Sequence, residues 1–175
     1  MYAIESEHAF QSTVDPATAT HRRYDVLVVG AGPAGSSAAY HLARQGADVL
    51  LVDRFAFPRD KRCGDGIVTD ALEELALMGI ADEVQARYSV SSHVALWLYG
   101  MKNVTESNVS EHFTVGYVAP RKSFDVLLCE HALRAGASWL DYMTVHEFGG
   151  VQSDWAIVGG VYKSYYHHDA HGRQR

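Results

Sequence analysis

The chain has 175 residues and is 47% hydrophobic, enough apolar material for one well-buried core and the size of a single domain. Its formal charge of −6, with no basic stripe to offset it, excludes the electrostatic footprint of a nucleic-acid partner. No apolar run approaches the roughly 18 residues that a membrane-spanning helix needs.

Residues 1–23 lack both the basic and the apolar regions of a secretion signal and are read as a flexible leader. A cytoplasmic, reducing setting follows for Cys63 and Cys129, which stand far apart without metal-like spacing. In that setting the sequons at Asn103 and Asn108 are chance matches.

Residues 25–29 form a β-branched apolar run of the kind buried on both faces of a sheet. Gly30, Gly32 and Gly35 follow at G-x-G-x-x-G spacing. The first permits a tight turn, the second lets a pyrophosphate approach the backbone, and the third lets helix and strand pack closely. Pro33 stands where a helix starts and its missing N–H costs little. The free amides of that turn, with the helix dipole, make an anion site. A second strand over residues 49–52 ends at Asp53, 18 residues past Gly35, where a carboxylate accepts from a ribose diol. Strand, glycine turn, helix, strand and terminal acid together specify a nucleotide site far better than the glycines alone.

The loop that follows carries Pro58, Gly64, Gly66 and a basic cluster of Arg59, Lys61 and Arg62, which either attracts phosphate or keeps the loop soluble. A helix is expected over residues 69–78, capped by Thr69 or Asp70, then β structure over 90–99 and a half-buried strand at Phe113, Val115 and Tyr117. Ser123 is expected to cap a helix over 124–135 closed by Gly136, and a strand over 138–145 returns to the sheet. The character changes after Phe148: one short strand fits at 155–158, and the end is polar and histidine-rich. His167, His168 and His171 lack a carboxylate or cysteine shell and read as a solvated terminus, so no metal site is expected.

GAGPAG at 30–35, PRDKRCGDG at 58–66 and PRKSFDVLL at 120–128 together resemble the geranylgeranyl reductase family, within the wider group of FAD-dependent oxidoreductases that includes aromatic hydroxylases and halogenases. The likeness runs from about Tyr24 to Val145. It implies a Rossmann-like α/β fold with a parallel sheet and a short β insertion. It also implies FAD as cofactor, with NAD(P)H or another reductant as electron donor. Gly30, Gly32, Ala34 and Gly35 would hold the FAD pyrophosphate, Asp53 the adenosine ribose, and Arg54 would flank the adenosine. Cys63, Gly64 and Gly66 would bring backbone to the flavin with Asp65 beside it. Arg121 would contact the phosphate or ribityl region, and Val145 would approach the adenine. No catalytic residue is assigned, because Asp65 has no paired titratable partner in the sequence. Cys63 reads equally well as a packed small side chain.

The same resemblance implies reduction of isoprenoid double bonds on a lipid or quinone precursor, with peripheral membrane contact through such a substrate. A hydroxylase-like monooxygenase is the other enzyme reading. The family's later G-D motif is not found, and Ile157-Val158-Gly159-Gly160 echoes its G-A-D-G strand without the aspartate. The expected organisation is therefore a leader over 1–23, a partial FAD-binding domain over 24–148 and an atypical tail over 149–175. On that reading the cofactor crevice lacks one wall, and a non-catalytic nucleotide-binding fragment is the third alternative.

Overall fold

The computed structural model describes residues 10–63, 65–91, 94–98, 101–105, 116–143 and 152–158. Helix α1 spans Pro16–His21, β1 Arg23–Val29, α2 Pro33–Arg44, β2 Val49–Val52 and β3 Gly66–Ile67. Next come α3 at Thr69–Leu77, α4 at Ala81–Arg87, β4 at Ser89–Ser91, β5 at Val94–Leu98 and β6 at Met101–Thr105. Strand β7 covers Gly116–Val118, α5 Arg121–Arg134, β8 Ser138–Leu140 and β9 Gln152–Val158.

A parallel four-stranded sheet, ordered β8-β2-β1-β9, carries the fold. The β-branched run of β1 is central and pairs with β2 from Val26–Val49 to Val29–Val52. Period-two alternation sends Val49 and Leu51 into the larger core with Ala39 and Tyr40 of α2 and Leu127, Leu128 and Ala132 of α5. Leu50 and Val52 face the opposite side with Ala19 of α1, Tyr24, Leu27 and Leu140. Both faces are thus covered, as an all-parallel sheet requires. Beside it lie an antiparallel sheet, β3-β7-β4, and the β5–β6 hairpin, which is the expected β insertion.

The structure corrects the expectations at both ends. Residues 10–22 are not a loose leader. Asp15 caps α1 through Thr18 N–H at 2.9 Å, Thr13 N–H donates to Trp139 O at 2.9 Å, and the Phe10 ring lies against Phe57 and Trp139. Within the tail, the short strand expected at 155–158 is longer, β9 at Gln152–Val158, and it pairs in register with β1 from Arg23–Gln152 to Val29–Val158, extending the sheet on that side. Arg23 and Asp154 form an ion pair across that junction.

Helix α5 begins three residues earlier than expected. Pro120 is its N-cap, and Ser123 lies inside its first turn, donating its hydroxyl to Pro120 O at 3.1 Å. Arg121 is therefore the first residue of the helix. Likewise α3 opens after Val68, with Thr69 and Asp70 already helical and no side-chain cap. Phe113 and Val115 of the expected strand, and the end of the one predicted over 138–145, lie outside the described residues.

Candidate functional site

The site starts at the end of β1. Gly30 has φ of 99° and donates its N–H to Val52 O at 2.7 Å, which ties the turn to the end of β2. Gly32 is the N-cap of α2, and no side chain caps the helix. Pro33 is at its first position, so the amides of the opening turn face outward toward whatever anion approaches. Gly35 packs so closely that an added β-carbon would stand 1.8 Å from Gly30 O and 3.4 Å from a Val28 methyl. The expected close helix–strand contact is thus present.

Asp53 follows β2 and is 6% exposed. Its Oδ2 accepts from Ala31 N–H at 2.9 Å and its Oδ1 from Phe55 N–H at 3.1 Å. These bonds fix the carboxylate at the glycine turn, and a carboxylate with about four acceptor sites retains capacity for a ribose diol. Arg54 turns away: it is exposed and stacks on the Phe55 ring at 4.7 Å, so it does not join this group.

Three further side chains meet over Gly32. Arg121 grips Asp125 with two bonds, Nε–Oδ1 at 2.6 Å and Nη2–Oδ2 at 2.9 Å. Arg59, from the loop after β2, reaches the same carboxylate through Nη1 at 3.0 Å and lies 3.5 Å from Asp53 Oδ2 through Nη2. A β-carbon on Gly32 would stand 3.4 Å from Arg121 Nη2 and 3.8 Å from Arg59 Nη2. The hydrogen bond to Asp125 holds the Arg121 guanidinium above its ordinary range, with Cys63 adding to the effect. Arg59 rests over the Phe57 ring at 4.7 Å, and its Nε is buried without a partner among the described residues. Two always-charged forks thus converge on Gly32 at the opening turn of α2.

Next to this cluster opens a cavity of about 440 Å³, within the usual size of cofactor pockets. Ala34, Cys63, Asp65, Gly66, Arg121 and Phe124 are among its lining residues. Ala34, Cys63, Gly66 and Arg121, expected from sequence to serve one ligand, therefore line one cavity. Asp65 adopts φ of 54° there, its carbonyl accepting from Ala119 N–H at 2.7 Å. Gly64 and Val145 lie outside the described residues.

Sequence reasoning missed Asp125 and left Arg59 undecided. The signal for Asp125 was an acid four residues after Arg121, on the same helix face, in a stretch otherwise apolar. No cluster of three or more potential metal ligands occurs among the described residues, and no helix there is long and apolar enough to cross a membrane.

The arrangement fits a dinucleotide: amides and guanidiniums for a diphosphate, a buried carboxylate for a ribose, and an adjoining cavity for a planar group. Comparison with known proteins agrees. Residues 23–170 match the family described as FAD binding domain. A digeranylgeranylglycerophospholipid reductase of Methanosphaera stadtmanae is 38% identical over 122 residues, covering 65% of this chain and 28% of that protein. A menaquinone reductase of Mycolicibacterium smegmatis is 55% identical over 65 residues, covering 37% of this chain and 16% of that protein. The myxobacterial chondrochloren halogenase CndH, described as FAD-dependent, shares the fold, with a TM-score of 0.60, 24% identity and coverage of 69% of this chain and 29% of that one. The chain thus spans less than a third of the length of each of these proteins. With its parallel sheet, glycine turn and matched residues, it belongs to the FAD binding domain family.

Proposed function

We propose that this chain holds FAD and serves a reductase of the geranylgeranyl reductase type, acting on isoprenoid double bonds of a lipid or quinone precursor. The observation that carries the FAD reading is the convergence of Arg59 and Arg121 on Gly32 beside the cavity lined by Cys63 and Asp65. The outward amides of α2 and the two guanidiniums bind the diphosphate, in a setting where charge-assisted bonds are strong. Asp53 accepts from the adenosine ribose. The apolar wall of Ile67, Leu75 and Phe124 keeps water from the planar group and orients it. Flavin, when bound, supplies the two-electron chemistry, and the protein contributes binding, orientation and electrostatics.

The substrate class rests on the relatives named for digeranylgeranylglycerophospholipid and menaquinone, together with the PRDKRCGDG and PRKSFDVLL segments. Contact with a membrane surface follows from a lipid substrate, and NAD(P)H or another reductant would recharge the flavin.

Titration of the chain with FAD, followed by quenching of flavin fluorescence, tests the cofactor step. Saturable binding supports it, and no binding at any concentration sinks it. For the substrate step, the flavin-loaded protein is reduced without oxygen and offered a geranylgeranyl-bearing lipid. Oxidation of the flavin with saturation of the chain supports the reductase. Oxygen-dependent turnover of a phenol instead would favour the hydroxylase-like alternative.

A further inference from the structure

We propose that Asp125 is a positioning residue, which sets the two guanidiniums in place for a diphosphate before any ligand arrives. This rests on the dinucleotide reading of the glycine turn. Asp125 is 1% exposed, and the two guanidiniums paired with its carboxylate come from segments far apart in sequence, the loop after β2 and the start of α5. Arg59 and Arg121 would repel each other over Gly32 if nothing lay between them. Asp125 removes that repulsion and uses both of its oxygens to do so: Oδ1 takes Arg121 Nε, and Oδ2 takes Arg121 Nη2 and Arg59 Nη1.

The geometry leaves donors to spare. Each guanidinium has five N–H groups, and Arg121 commits two nitrogens to Asp125, with Cys63 also beside it. Arg59 turns its Nη2 toward Gly32, and Arg121 does the same. A planar fork held at one edge presents the other edge in a fixed orientation, so little side-chain entropy remains to be lost on binding. Asp125 itself never needs to touch the ligand.

The test compares ADP with adenosine, two probes that differ by the diphosphate, in calorimetric titration of the full chain. Asp125→Asn should weaken ADP binding about tenfold while adenosine binding holds within about twofold. In an Arg59→Gln, Arg121→Gln background the same change should leave ADP binding unmoved, because nothing remains for Asp125 to act through. Equal weakening of both ligands would assign Asp125 to general structure and overturn the proposal. Tighter ADP binding would overturn it as well, since Asp125 would then be competing for the arginines.

Should the Asn variant not fold, NMR of the unaltered chain decides. The Arg121 Nε–H, assigned by its loss in Arg121→Lys, should exchange slowly with water before ADP is added. Fast exchange that slows only with ADP overturns pre-positioning. An unaltered chain that binds neither probe refutes the dinucleotide reading, and the proposal with it.

Discussion

A β-carbon on Gly35 would lie 1.8 Å from the carbonyl oxygen of Gly30, five residues back in the same turn. That oxygen belongs to backbone anchored by the Gly30 N–H bond to Val52, so it cannot swing aside as a side chain would. Gly35→Ala is therefore expected to cost at least about 3 kcal/mol or to prevent folding. At Gly32 the nearest atom is the tip of Arg121 at 3.4 Å, and the backbone angle is ordinary. Gly32→Ala should fold with nearly unchanged stability yet bind ADP more weakly, because the new methyl occupies the approach to the turn. Urea melts of both variants, followed by far-UV circular dichroism, check the contrast.

Asp53 does two jobs, and its replacement separates them. Asp53→Ala strips the acceptor from the buried Ala31 amide and from Phe55, and removes one carboxylate from beside Arg59. An unmatched buried donor costs about 1–3 kcal/mol. The urea midpoint should fall by a corresponding amount with no cofactor present, and FAD affinity should fall in addition. Unchanged FAD affinity alongside the stability loss would leave Asp53 a turn-holding residue with no ribose role.

The half of the site built by local sequence was legible, and the half built by tertiary contact was not. Gly30, Gly32, Gly35 and Asp53 lie within one strand–helix–strand unit whose spacing fixes its geometry, and the structure places them as that spacing implies. Arg59 and Asp125 are 66 residues apart, and no periodicity links a loop arginine to a helical acid. Helix α4 was missed because Ala81–Arg87 is short and Val84 is its one buried residue, too little to make an apolar stripe. The strand β9 was read too short. Its start, Gln152–Asp154, is polar, and pairing with β1 rather than composition makes it extend. The organisation into a domain over 24–148 with flanking segments remains our proposal, with residues 10–22 and β9 packed onto that unit.

The packing of residues 10–22 makes a prediction about a segment that composition alone would discard. The Phe10 ring centre is 5.7 Å from Trp139 and 6.3 Å from Phe57, and Trp139 N–H donates to Thr13 Oγ1 at 2.7 Å. Ser12 adds a bond from its hydroxyl to Asp141 Oδ1 at 2.5 Å. Because Phe10 is half-buried, Phe10→Ala should cost less than a fully buried ring, about 1–3 kcal/mol. A shift in the thermal midpoint of a few degrees is the readout. A midpoint identical to that of the unaltered chain would mean that this segment contributes no packing.

The two thiols should behave oppositely. Cys129 is fully buried on α5, and burial, with the nearby Asp53 charge next, pushes its thiol well above the ordinary value of 9.0, so almost no thiolate forms there near neutral pH. Cys63 is exposed at the cavity mouth. A disulfide-exchange reagent at about pH 8 should modify one thiol per chain in the folded state and the second only as the chain unfolds, since Cys129 must wait for an opening of the core. The sign of the pH effect follows from the same shift. The folded chain keeps the Cys129 proton after the unfolded chain has lost it, so this contribution is complete below the ordinary thiol value and declines as pH rises past it. The unfolding midpoint should therefore drop on the alkaline side in the unaltered chain, and Cys129→Ala should remove that part of the slope. Two thiols reacting at equal rates in the folded chain would place Cys129 outside the core.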